Sequence, residues 1–294
     1  MKIAVVLNDA GSANVILSYL QDFENTFDIL ASGPALDLLE RAEIQYRLIT
    51  FDEICNLQYD VILLGLSFPS DIDLRVTQAL QESDSLLVTF LDHWSFSETD
   101  FIFQSKLLLP DMFVVTDSDA FTRAVQHFPG TSVVQIENSY LSDSLERFLS
   151  LPQKHISQSS ILYLAEPLSV EKNSNLANLF GSYSSQDLEF KVFEYMQSCI
   201  KLFAPQCTQI VIRPHPVQSK TYFGTEYLAG NYKVSISEEP SLVEDIRAAE
   251  VVVGIHTMAL VVARHLGKDS YTCLPPGSGD CAIKGIDIKY LRDL

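Results

Sequence analysis

The sequence predicts an α/β protein made of two Rossmann-like domains in tandem. Three observations carry that expectation. Short apolar, β-branched runs alternate with amphipathic stretches along the whole chain. The runs are apolar on both faces, as strands of a parallel sheet covered by helices must be. The alternation breaks once, over 148–160 (FLSLPQKHISQSS), where proline, serine and glutamine replace any apolar period, and then restarts. The expected division is an N-terminal domain over 1–150 and a C-terminal domain over 159–294. The carboxyl ends of their strands, where such sheets collect ligands, are expected to face a shared cleft.

In the first half the expected strands are 3–7, 27–30, 46–49, 61–64, 86–91, 113–115 and 133–136. Helical periodicity falls between them at 13–20, 35–41, 74–81 and 120–128. In the second half strands are expected at 161–164, 209–213, 232–235, 251–253 and 270–273, with helices at 188–203, 242–248 and 257–266. Ser241 and Glu244 have the spacing of a capping box ahead of the second of these helices. Asp71 and Asp73 fall at a helix start and read as caps rather than as a metal-binding Asp-x-Asp pair.

The composition narrows the function. With 47% hydrophobic residues in 294, the chain can bury a large core, and its formal net charge of −18 argues against nucleic acid as a partner. Any phosphate must be held by local groups rather than by the field of the whole protein. Five scattered cysteines with no CxxC spacing read as thiols of a reducing compartment. The opening MKIAVVLNDAG reads as a first strand rather than a signal peptide, and no run reaches the ~18 apolar residues of a spanning helix. A cytoplasmic protein is expected, with a peripheral membrane role left open. Neither a metal nor an organic cofactor is called for by any motif.

The most informative segment is Val211-Ile-Arg-Pro-His-Pro-Val217, where an apolar strand ends abruptly. The two prolines fix their own φ and restrict the residues before them, so a stiff loop should present Arg213 and His215. Arginine is a forked phosphate ligand, and histidine can donate to a phosphate oxygen or move a proton. A plain structural turn with a surface histidine is the alternative. Downstream, Glu250-Val-Val-Val-Gly-Ile-His-Thr-Met runs from a buried strand through Gly254 to a helix start at His256, Thr257 and Met258. Free amides and the helix dipole suit that start to an anion, and the Thr257 hydroxyl can cap the helix or bond a phosphate.

The order IRPHP, then PSLVEDIRAAEVVVGIHTMALVVARHLGK, resembles the donor half of GT-B-type enzymes. It is most similar to bacterial sialyltransferases, polysialyltransferases and Kdo transferases using CMP-activated sugars, and CDP-glycerol glycerophosphotransferases share part of it. The resemblance implies a GT-B-like fold and places nucleotide-phosphate contacts on His215 and Pro216 and on Thr257. It departs from the family at the later motif, which usually has a serine or two hydroxyls where His256-Thr257-Met258 offers one. Glu166, in LAEPL, lies where donor-side loops gather and could meet a ribose or base edge; a simple turn at Pro167 is the alternative.

The N-terminal half supplies acceptor-side candidates. Asn8, Gly11 and Ser12 belong to a small-residue loop after the first strand that is not GxGxxG. Asp9 could act as the base that removes a proton from an acceptor hydroxyl, or simply cap a helix. In Leu91-Asp-His-Trp-Ser95, Asp92 and His93 could form a base and its orienter, with Trp94 stacking on a sugar face. His127, His155 and His265 read as incidental. Three functions fit. The first is a metal-independent glycosyltransferase using a nucleotide-activated sugar, CMP-linked by preference, on a glycan or lipid-linked acceptor in bacterial capsule or other surface-glycan synthesis. The second is another nucleotide-sugar enzyme, 2-epimerase-like or a glycerophosphotransferase. The third is a degenerate binding or scaffold protein, favoured by the single hydroxyl and by how little chain follows Gly285 to form a closing helix.

Overall fold

The computed structural model describes residues 1–67, 70–93, 96–152, 159–171, 173–182, 184–228, 232–283 and 286–294, without the side chain of residue 226. The chain divides into two compact units, Met1–Asp143 and Ser144–Leu294. Trp94 and His155, and much of the expected connection at 148–160, lie outside the described residues.

The first unit runs β1 (Ile3–Leu7), α1 (Ala10–Leu20), β2 (Thr26–Ala31), α2 (Ala35–Leu39), β3 (Gln45–Leu48), α3 (Phe51–Asn56), β4 (Val61–Gly65), α4 (Ile72–Leu80) and β5 (Leu86–Leu91). There follow a short hairpin, β6 (Ile102–Phe103) and β7 (Lys106–Leu107), then β8 (Met112–Val115), α5 (Ser118–His127) and β9 (Ser132–Gln135), and helix α6 (Ser139–Ser150) leads into the second unit. Seven strands form one sheet in the order β3-β2-β1-β4-β5-β8-β9, and every pairing in it is parallel. The strand period of two explains the layering. Ile3, Val5 and Leu7 of β1 join a core with Val15, Ile16 and Leu20 of α1. Ala4 and Val6 point the other way, into a second core with Ile54 of α3 and Val76 and Leu80 of α4. Each fully buried side chain of this size stabilises the fold by roughly 1.5–3 kcal/mol, so the two-faced strands are the main source of its stability. Toward β8 the packing becomes aromatic, with Phe101, Phe113 and Phe128 at centroid distances of 4.9–5.2 Å.

The second unit contains β10 (Ser160–Leu164), α7 (Ser174–Phe180), α8 (Ser185–Phe203), β11 (Gln209–Arg213), α9 (Thr225–Leu228), β12 (Lys233–Ile236), α10 (Leu242–Ala248), β13 (Val251–Gly254), α11 (Met258–His265), β14 (Asp269–Thr272) and β15 (Lys289–Tyr290). Its six strands lie in the order β12-β11-β10-β13-β14-β15, again all parallel. The order reverses between β10 and β13, which is the topological switch point where open α/β sheets place ligands. Buried Leu188, Val192, Phe193, Met196 and Ile200 form the inward stripe of α8. The capping box expected at Ser241 and Glu244 does not form. Ser241 makes no side-chain capping bond, and the Glu244 carboxylate instead accepts from Arg147. Among the described residues, no helix is long and apolar enough to cross a membrane.

Candidate functional site

In the second unit the three loops that leave β10, β11 and β13 sit side by side, because those strands are neighbours. His215 follows β11 between two prolines, neither of which can donate a backbone hydrogen bond. Its own amide donates to Gln218 Oε1 at 3.1 Å, and its Nδ1 accepts from the Val217 amide at 3.4 Å. That leaves the ring proton on Nε2, as a fixed donor. His256 follows β13 and is set the same way, with Nδ1 accepting from the Ala282 amide at 3.1 Å. Burial lowers the proton affinity of both rings. Both therefore act as neutral N–H donors, which suits a phosphate oxygen. Pro216 is exposed beside His215, and Met258 opens α11 half-buried.

Two predicted phosphate ligands are engaged within the fold. Arg213 Nη1 pairs with the 3%-exposed carboxylate of Asp245, which also accepts from the Ser237 hydroxyl at 2.7 Å. The arginine therefore fastens β11 to α10, with its charge answered internally. At the start of α11, the Glu166 carboxylate accepts from the His256 amide at 2.9 Å. Its pKa is pushed up to about 7, chiefly by burial and further by neighbouring Glu189, while the His256 and Thr257 amides pull it down. The anion position foreseen at this helix start thus carries an internal carboxylate. Thr257 does cap α11, its hydroxyl accepting from the Ala259 amide at 3.3 Å.

In the first unit the acceptor-side candidates assemble at the carboxyl ends of β1 and β5, on either side of β4. Asp9 occupies the N-cap position of α1 without a side-chain capping bond. Gly11 lies against Asp92 so closely that a Cβ on it would sit 2.0 Å from Asp92 Oδ2, so only glycine permits this packing. His93 Nε2 stands 4.0 Å from Asp92 Oδ1, an ion-pair separation rather than a hydrogen bond. Asn8 donates to the Ser32 hydroxyl at 2.8 Å and so secures the following loop. Ser12 is fully enclosed, with its hydroxyl 3.4 Å from the Asp9 and Leu66 carbonyls, which makes it a packing residue out of reach of an acceptor.

Besides Asp245, sequence reasoning missed two buried carboxyls. Asp73, read as a helix cap, is 3% exposed. Its pKa is pushed up to about 7 by burial, with the Asp9 charge adding to the rise, against backbone hydrogen bonds from Asp73 itself, Leu74 and Ser67. Glu189 lies on the buried side of α8. Among the described residues, no group of three or more His, Cys, Asp or Glu could hold a metal ion.

No protein-family model and no curated protein matches the sequence. Solved structures match the fold. MnaA of S. aureus, solved with UDP, aligns over 92% of this chain and 79% of its own, with a TM-score of 0.62 at 11% identity. The UDP-GlcNAc 2-epimerase of Methanocaldococcus jannaschii, in complex with UDP-GlcNAc and UDP, aligns over 92% and 83% with a TM-score of 0.61 at 11% identity. The E. coli heptosyltransferase WaaC with ADP aligns over 99% and 92% with a TM-score of 0.51 at 12% identity. At such identities the likeness is one of fold, and function has to be argued from the site. The chain has the GT-B-like, two-domain Rossmann-type fold found among nucleotide-sugar enzymes.

Proposed function

We propose that this protein is a nucleotide-sugar-using enzyme of GT-B type, and specifically a metal-independent glycosyltransferase. The observation that carries the reading is the pair of neutral histidine donors, His215 and His256, on loops at the switch point of the second unit. Two preorganised N–H donors in partly buried surroundings can stabilise the charge that develops on a departing nucleotide phosphate, the task a metal ion performs elsewhere. Pro216, Thr257 and Met258 complete the wall of that subsite. Asp9, or Asp92 with His93, is the base that removes the acceptor's hydroxyl proton. The Arg-Pro-His-Pro motif favours a CMP-linked donor and a glycan or lipid-linked acceptor in surface-glycan synthesis.

A second reading, a 2-epimerase-like reaction on a UDP-sugar, is favoured by the fold similarity to a UDP-GlcNAc 2-epimerase and by the additional carboxyl, Asp73, beside Asp9. Titration calorimetry with CMP, CDP, UDP, GDP and ADP tests the shared premise. A pyrimidine nucleotide should bind, and His215→Ala should weaken it at least about tenfold, the loss of one hydrogen bond to a charged group. Binding of none of the five overturns the proposal. Product analysis with the sugar form of the nucleotide that binds then separates transfer from epimerisation.

A further inference from the structure

Glu189 is 6% exposed on a helix face otherwise lined by Leu188, Val192, Phe193 and Met196, where an apolar residue would pack at no desolvation cost. Its carboxylate is instead saturated by donors from other segments. One oxygen accepts from the Leu168 amide at 2.8 Å, the other from Gln218 Nε2 at 2.8 Å, and the Tyr222 hydroxyl adds a third bond. Gln218 in turn spends its Oε1 on the His215 amide, and its backbone N–H donates to the His215 carbonyl at 2.7 Å. Between Pro214 and Pro216 the His215 amide is the single backbone donor, so this contact decides how the loop is held. Leu168 lies two residues after Glu166, which holds the His256 amide. One buried carboxylate therefore ties the loop bearing His215 to the loop that braces His256.

We propose that Glu189 is a positioning residue for His215, acting through Gln218, and that it sets the separation of the two histidine donors; this rests on the reading of those histidines as a nucleotide-phosphate subsite. The titratable groups around it include Tyr163, Glu166, Tyr222 and Tyr227. Field and position act with opposite sign here. Removing a nearby negative charge should strengthen the binding of an anion, whereas releasing the loop should weaken it.

The test uses the whole chain and the nucleotide diphosphates UDP and CDP. Glu189→Ala should speed hydrogen exchange at the His215 amide at least tenfold, leave the amides at the centres of β10 and β13 unchanged, and weaken nucleotide binding by a similar factor. Glu189→Gln keeps the shape but sets an amide donor against a donor, and should do the same more mildly. Combining Glu189→Gln with Gln218→Glu reverses the polarity of the contact. The carboxamide at 189 can accept from Leu168 and donate to the carboxylate at 218, whose other oxygen accepts from His215. Protection of the His215 amide should return in this double variant even if Glu189→Ala fails to fold. Unchanged His215 exchange, or tighter nucleotide binding in Glu189→Ala, overturns the proposal and leaves the nucleotide reading intact. Faster exchange in a protein that binds no nucleotide in any form overturns that reading instead.

Discussion

Asp73 and Glu166 are carboxyl groups whose pKa burial pushes up to about 7. For a carboxyl whose folded pKa is raised, the native state binds more protons than the unfolded chain between the two pKa values, so stability declines as pH rises through that window. For Asp73 the window runs from the ordinary aspartate value of 3.8 to about 7. Within it this one group can cost up to ~1.4 kcal/mol per pH unit. Asp73→Asn keeps an oxygen to accept from the α4 amides and removes the ionisation. Urea denaturation at pH 5 and pH 8 should show the wild type losing stability relative to the variant as pH rises; parallel profiles would rule this account out. Residues of this kind were hard to read. Asp73 and Asp245 stand in the first turns of their helices, where acidic residues are common for dipole reasons alone, and nothing local marks Glu189 in the second turn of α8 as buried. His215 and His256 were legible because prolines or a glycine beside a valine-rich strand announce a loop at a strand's carboxyl end.

At the scale of elements, strands were far easier to read than short helices. The runs 3–7, 86–91 and 209–213 coincide with β1, β5 and β11 residue for residue, because two-sided apolar runs bounded by polar residues have no other good solution in a layered α/β fold. Helix α1 begins at Ala10 rather than Ala13, since its first turn, Ala-Gly-Ser, carries no apolar stripe and reads as loop. Helices α3, α6, α7 and α9 went unrecognised, of which α3 and α6 are instructive. The first is a single short turn set up by a true capping box, Thr50 with Glu53, and the second has little buried surface. Two contacts between elements give predictions. Gly11→Ala should destabilise the protein by about 1–3 kcal/mol, the usual cost of overpacking, by driving a methyl into Asp92. Adding Asp92→Ala should recover most of that in chemical denaturation, and failure to recover would place the strain elsewhere. Asp245→Ala leaves Arg213 without its anion between β11 and α10, and should cost about 3 kcal/mol or more. A loss below about 0.5 kcal/mol would show that the pair contributes little.

Across the whole molecule these titrations add to a formal charge of −18. Burial raises the proton affinity of Asp73, Glu166, Glu189 and Asp245, so all four favour the folded state on the acid side of neutrality. His215 and His256 oppose them. Their folded pKa values are depressed, and the stability they contribute is lost as pH falls below the ordinary histidine value of 6.5. The melting temperature should therefore be higher near pH 6 than at pH 8, and a maximum on the alkaline side would contradict this balance. Mutual repulsion of the surplus acidic groups, screened by salt, acts in the same direction.

On the proposed reading, the carboxylate already seated at the mouth of α11 makes nucleotide binding a proton equilibrium as well. In the proposed complex a phosphate beside Glu166, whose pKa burial pushes up to about 7, favours its neutral form, so complex formation near pH 7 should draw protons from the medium. Calorimetric heats recorded in Tris and in Pipes buffer would then differ in proportion to the ionisation heats of the buffers, and Glu166→Gln should bring the two closer together.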